Sequence, residues 1–294
     1  MSTIIKRFGL MLMAALMPLA HADNHGVSVK PVTENIFMLV GKGGNIGVMT
    51  GPDGTFAIDD QYAPSTPEIL KAIRSVDGDA PTFLINTHFH GDHTGGNENL
   101  GEQGALIMAH DKVRERLAEG YQIPTFKMTV APGSKVSLPV VTFDHELGLH
   151  INGDHVRAYH VPNAHTDGDS FIKFMNANVI HTGDIFFNGF YPFIDVRHGG
   201  TLKGAIAGVD VILSHVDADT KIIPGHGPLA NRADLERYRA MLTTAYERLA
   251  ALKQSGKTLT QALAAKPLAD LDDSWGKAMF NSDVWVGLIY EGLD

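Results

Sequence analysis

From Val27 onward, short apolar runs at residues 36–40, 46–49 and 55–58 are divided by Gly43-Gly44 and by Gly51-Pro52-Asp53-Gly54. Runs of this length broken by turn residues predict a meander of antiparallel strands. Pro67 suits a first helical turn and opens a predicted helix to about Val76. The apolar run Thr82-Phe83-Leu84-Ile85 follows as a buried strand leading to His88. The second half predicts strands near residues 156–161, 170–174, 179–181 and 221–223, and a helix over about 201–213. Leu235, Tyr238, Leu242, Ala245, Leu249 and Leu252 recur at helical spacing, so a long helix is expected from near Ala233, with Asn231 as its cap and Gly256 as its stop. No internal repeat or low-complexity linker interrupts this order, which implies an α/β chain built as a single domain over residues 23–294. Its helical C-terminal extension, about 258–294, is expected to form one or two short helices. These carry Trp275, Phe280, Trp285 and Tyr290, which should pack on the body.

Ahead of the domain lie Lys6-Arg7, an apolar run from Phe8 to Leu19, and Ala20-His21-Ala22. A positive, then apolar, then small-residue order is that of a signal peptide, with cleavage expected after Ala22. The run is too short for a membrane anchor, which needs about 20 apolar residues. The mature protein is therefore expected in the periplasm or secreted, with no stable membrane anchor.

Composition narrows the chemistry. The 294 residues contain no cysteine, which excludes disulfides, thiolate-bound metal and a cysteine nucleophile. Twenty-four basic residues against 33 acidic ones give a net charge of −9, and loss of residues 1–22 removes Lys6 and Arg7 and makes it −11. With no basic stripe, nucleic acid is not an expected partner. Fifteen histidines are an excess that calls for explanation.

Residues 87–93 read Thr-His-Phe-His-Gly-Asp-His and place His88, His90, Asp92 and His93 just past an apolar strand. Imidazole and carboxylate are the ligand set for zinc and related ions. On an extended stretch His88 and His90 share a side, and a turn at Gly91 would swing Asp92 and His93 toward a second ion, with Thr94-Gly95-Gly96-Asn97 continuing as a tight loop. Downstream, His165, Asp184 and His226 each stand where a predicted strand runs into a loop.

His-x-His-x-Asp-His at 88–93, followed by His165, the Gly183-Asp184 pair and Gly225-His226, resembles the metallo-β-lactamase superfamily of binuclear hydrolases. The resemblance implies a four-layer αββα sandwich with the metals at one edge between the sheets. It implies His88, His90 and His165 on one metal, Asp92, His93 and His226 on the other, and Asp184 bridging them. The cofactors would be two Zn2+, with Fe or Mn as possible replacements. Asp59 matches the family's early aspartate and is expected to orient a ligand histidine, with Asp60 the weaker candidate. Two such ions would lower the pKa of a shared water and so supply the nucleophile. Asp92 and Asp184 are the expected catalytic residues.

Substrate selection is expected from the aromatic segment after Asp184, with Phe187, Phe190 and Tyr191 as apolar wall and Asn188 as a polar contact; His198 is a candidate substrate contact. Histidines 110, 145, 150, 155, 160 and 215 fit no ligand pattern, and His181 is expected to pack near the site without binding metal. An aspartate at 184, where true lactamases carry cysteine or serine, resembles the glyoxalase II, lactonase and phosphodiesterase branches. The expected activity is hydrolysis of an ester, lactone, thioester or amide-type bond in a small molecule, with weak β-lactamase action as a side activity. A mononuclear iron persulfide dioxygenase and a dedicated β-lactamase are the alternatives. Oligomeric state is not legible in the sequence.

Overall fold

A computed structural model describes residues 26–293; the expected signal, residues 1–22, lies outside the described residues. The predicted meander is β1 (Ser28–Pro31), β2 (Ile36–Val40), β3 (Ile46–Met49) and β4 (Phe56–Ile58), paired antiparallel in that order. The sheet then turns parallel through β5 (Phe83–Ile85), β6 (Leu106–His110) and β9 (Val141–Phe143). Its connections carry helices α1 (Thr66–Arg74), α2 (Gly91–Thr94), α3 (Asn97–Glu102) and α4 (Asp111–Glu119), and a separate hairpin of β7 (Tyr121–Ile123) and β8 (Met128–Val130). A second sheet joins β10 (Glu146–Ile151), β11 (Asp154–His160), β12 (Ser170–Phe174) and β13 (Val179–His181) antiparallel, then β14 (Lys221–Ile223) parallel to β13.

The alternation of side chains along each strand separates the layers. In β2, Ile36 and Met38 join Phe56, Ile85, Val156, Phe174 and Ile223 in the core between the two sheets, whereas Leu39 packs outward against Ile69 and Ile73 of α1. The outer face of the second sheet, through Phe171, Ile180 and Ile222, is covered by α5 (Leu202–Ser214) and α6 (Arg232–Gln254). The result is the four-layer αββα sandwich. The stripe Leu235, Tyr238, Leu242, Ala245 and Leu249 of α6 is buried, and Asn231 and Asp234 close a reciprocal cap at its start.

The C-terminal extension has one more helix than the pattern suggested: α7 (Leu259–Ala264), α8 (Asp272–Trp275) and α9 (Ser282–Ile289). Trp285 is fully buried, stacks on Tyr191 with ring centroids 4.6 Å apart, and donates its indole N–H to Pro192 O at 2.7 Å. Among the described residues no helix is long and apolar enough to cross a membrane.

The parallel strands position the site. Residues that follow the carboxyl ends of β4, β5, β13 and β14 converge at one edge of the sandwich, where open sheets gather functional groups. Asp59 follows β4, His88 to His93 follow β5, Asp184 follows β13 and His226 follows β14; His165 arrives from the loop between β11 and β12.

Candidate metal centre

Seven side chains meet at this edge. One group of donors is His88, His90 and His165, a second is Asp92, His93 and His226, and within each group the donor atoms lie within 4.8 Å of one another. Asp184 belongs to a third such group with His88 and His93. Its carboxylate stands 3.0 Å from His93 Nε2 and 3.5 Å from the Nε2 atoms of both His165 and His226, so it touches donors of both groups. The segment from Gly91 is a short helix, α2, rather than the expected turn and tight loop. His90 sits at its N-cap with extended backbone, and one helical turn carries His93 back beneath it.

Each of four histidines has one ring nitrogen held from behind, which leaves the other for the centre. Thr87 Oγ1 donates to Asp59 Oδ2 at 2.8 Å and so accepts from His88 Nδ1 at 3.0 Å. His93 Nδ1 donates to the same Asp59 oxygen at 2.8 Å. His165 Nδ1 donates to Phe193 O at 2.7 Å. His90 is reversed: its Nε2 donates to Asp195 Oδ2 at 3.0 Å, so Nδ1 faces inward. This is the outer hydrogen bonding that fixes tautomer and ring orientation in metal sites.

The inward atoms fit cations. His90 Nδ1 and His165 Nε2 face each other at 2.8 Å, and His93 Nε2 and His226 Nε2 at 3.4 Å. His88 Nε2 is buried with no hydrogen-bond partner. Converging imidazole lone pairs in a buried cluster need a proton or a metal ion between them. Electrostatics divides the two groups. Burial lowers the pKa of His88 and takes that of His165 down to about 4. Burial opposes charge on His93 and His226 as well, but Asp184 and Asp92 outweigh it, raising His93 well above the usual range and His226 to about 9. Asp184 is held below the ordinary carboxylate range: its burial acts the other way, and His93, His226 and His165 prevail.

Two glycines let the backbone close on this cluster. A side chain on Gly44 would collide with the His93 ring, and one on Gly225 would collide with Asp184 Oδ1.

The other sequence candidates divide. Asp59, buried, supports both His88 and His93, whereas Asp60 is buried a step away and accepts from Gly96 N. Phe187 stacks on His226 and lines the cavity above the cluster. Four expectations need correction. Tyr191 is fully buried under Trp285 and forms no part of the cavity wall, because the C-terminal helices cover it. Phe190 faces a different groove, with Lys30 and Lys42, and Asn188 spends its amide N–H on Pro228 O at 3.0 Å. His198 does not line the cavity above the cluster: it is buried behind His90 and donates to Asp195 at 2.7 Å. His181 is buried against Asn45 O at 3.0 Å, outside the donor groups.

Sequence reasoning missed Asp195, Thr87 and Asp169. The Asp169 carboxylate accepts from the backbone N–H of His165 at 2.6 Å and of Thr166 at 2.8 Å, while burial raises its pKa to about 7. Asp169 stands four residues after His165, the one local signal that could have found it.

The sequence profile of the Metallo-beta-lactamase superfamily matches residues 29–226. A hydroxyacylglutathione hydrolase of Nitrosococcus oceani is 26% identical over 151 residues, 51% of this chain and 50% of that protein. One of Pelagibacter ubique is 26% identical over 107 residues, 36% of each. The chain thus spans half or less of the length of these curated relatives. Among solved structures, a metallo-beta-lactamase from Pontibacter korlensis superposes with a TM-score of 0.59 at 17% identity, over 74% of this chain and 99% of that one. The matched residues run from β1 to His226 and take in all seven donors, and on that ground the chain belongs to the metallo-β-lactamase superfamily.

Proposed function

We propose that the protein is an exported, metal-dependent hydrolase that holds two zinc ions and cleaves an ester, lactone, thioester or amide-type bond of a small molecule. The observation that carries this reading is the position of Asp184, whose carboxylate lies against donors of both triads. Bound divalent cations would lower the pKa of a water held between them toward neutrality and polarise the bond under attack. His88, His90 and His165 would hold one ion and Asp92, His93 and His226 the other.

The chain's own groups do the rest. Asp184, buried, fixes the spacing of the two triads. Asp92 and His226 keep part of their side chains accessible and line the cavity, with Asp92 Oδ2 3.2 Å from His226 Nε2. Asp92 would orient the attacking water and take up its proton. Phe187 and Phe193 give the cavity side an apolar surface, where charge interactions are stronger than in water.

The test is metal analysis of the mature protein with a panel of thioester, lactone, simple ester, β-lactam and phosphodiester substrates. Two zinc per chain and hydrolysis of one carbonyl class are expected. One iron per chain with oxygen uptake, or intact metal with no hydrolysis in the panel, overturns the reading. Export is tested separately, by the N-terminal sequence of protein recovered outside the cytoplasm, which should begin at Asp23.

A further inference from the structure

The cavity above the cluster is walled by parts of the chain that lie far apart in sequence. Besides Asp92, Asp184 and His226 it is lined by Phe126, Met128, Phe193 and Met279, in a space of about 210 Å3. Phe126 sits in the turn between β7 and β8 and contacts Phe193 at 4.9 Å and Phe280 at 6.2 Å between ring centroids. Met279 and Phe280 come from the segment joining α8 to α9, beyond the stretch that matches the family profile. That segment is held at both ends: Trp275 O accepts from Tyr191 N, and Asp272 accepts from Ser282 N at 2.7 Å.

Two features of this mouth point to a ligand. First, Phe126 and Met279 are each 42% exposed although both border a buried polar cluster, so an apolar lip faces solvent beside the donors. Second, no lysine or arginine is among the described residues that line the cavity. Lys30 and Lys42 border a separate groove that shares only His226 with it. A substrate carboxylate set against Phe126, Phe193 and Met279, on the wall away from the metal donors, would meet aromatic and thioether surface with no lysine or arginine side chain to offset its desolvation.

Resting on the hydrolase reading above, we propose that the group flanking the scissile bond is neutral and apolar, and that Phe126, Phe193 and Met279 form its binding wall. The C-terminal extension is thereby a specificity element and more than a packing layer. Size narrows the class: a dry apolar cavity of about 150 Å3 takes benzene. The larger space here suits a phenyl ring or an alkyl chain of roughly six carbons beside the reacting group.

The experiment uses zinc-loaded full-length protein and ethyl acetate, ethyl hexanoate and monoethyl adipate, the last matching hexanoate in length but ending in a carboxylate. The expected kcat/KM is at least about tenfold higher for hexanoate than for either of the others. In Met279→Asp and Phe126→Ser the hexanoate-to-acetate ratio should fall about tenfold, mainly through KM, with zinc content unchanged. Met279→Leu should restore it. An equal or higher rate on the adipate ester, or an unchanged ratio in both polar variants, overturns the proposal. Binding of toluene, a neutral probe of the expected size followed by saturation-transfer NMR, separates this from the hydrolase reading. If binding is lost in the polar variants while no ester is cleaved, the apolar wall stands and the hydrolase reading falls. If the wild type binds no probe and shows no chain-length preference, the wall itself is refuted.

Discussion

The Asp195 carboxylate accepts from His90 Nε2 at 3.0 Å and from His198 Nδ1 at 2.7 Å through the same oxygen. One carboxylate thus sets the ring of a candidate ligand and is itself braced by a second imidazole. Burial alone would raise its pKa, but the hydrogen bonds and proximity of His90 and His198 hold it down at about 2. Asp59 has the matching task behind His88 and His93, from a left-handed backbone at φ +63° that aspartate tolerates better than most residues. The first triad is therefore braced by Asp195 at His90 and, through Thr87, by Asp59 at His88, while Asp59 also braces the second triad at His93.

Asp195→Ala should weaken the His88–His90–His165 position selectively, by about 10- to 100-fold in zinc affinity, because His90 loses the partner that turns Nδ1 inward. Chelator competition resolves the two binding steps. Only one step should shift, and the His198→Phe variant, which keeps the His90–Asp195 bond, should shift it less. Equal weakening of both steps would show that Asp195 acts through the fold as a whole.

The donor residues were legible because each stands in a dense motif or directly after an apolar strand, where backbone direction determines what meets. Their supports were not. Asp195 follows Phe193-Ile194 with no neighbouring motif, and its role depends on a fold contact 105 residues away with His90. The pocket wall was misread for a related reason. The run from Ile185 to Ile194 is aromatic throughout, but which of its faces meets solvent is decided by Trp285, and periodicity within the run carries nothing about that partner. Strand β10 does show alternation at Leu147, Leu149 and Ile151, diluted by Gly148 and His150 on an edge strand.

Asp184→Asn should lower turnover by at least about 10²-fold, since it removes a charge that faces both triads while keeping the side-chain shape. Zinc stoichiometry should fall toward one per chain, read by elemental analysis after gel filtration. Full turnover with two zinc ions would remove Asp184 from the bridging position.

Trp285→Ala should destabilise the protein by about 3–5 kcal/mol, the usual cost of emptying a large buried aromatic site. Trp285→Phe retains most of the stacking on Tyr191 but leaves Pro192 O without its donor, so a smaller loss of about 1–3 kcal/mol is expected. Urea unfolding of the metal-free protein measures both. A single transition is expected, because Trp285 belongs to the same buried cluster as α5, α6 and the second sheet. A separate early transition in the wild type would make the extension an independent unit.

A pair of histidines away from the centre predicts part of the acid sensitivity. His110 and His160 stack with centroids 3.7 Å apart, and burial lowers the pKa of each below the ordinary 6.5; for His160 the neighbouring His110 adds to the effect. Asp144, Asp111 and His145 border the same hollow, and His160 Nδ1 donates to Asp169 O at 2.9 Å. The sign follows from linkage. With folded pKa values below the unfolded one, both rings are neutral in either state above pH 6.5, and the native protein keeps its full stability there. As the pH falls below that value the unfolded chain takes up protons first, so stability is lost until the folded pKa values are passed. His160→Gln removes one titrating ring and relieves the other of its neighbour. Between pH 7.5 and pH 5.0 the urea midpoint of the variant should therefore drop less than that of the wild type. An equal drop in both proteins would mean that the stacked pair contributes nothing to acid lability.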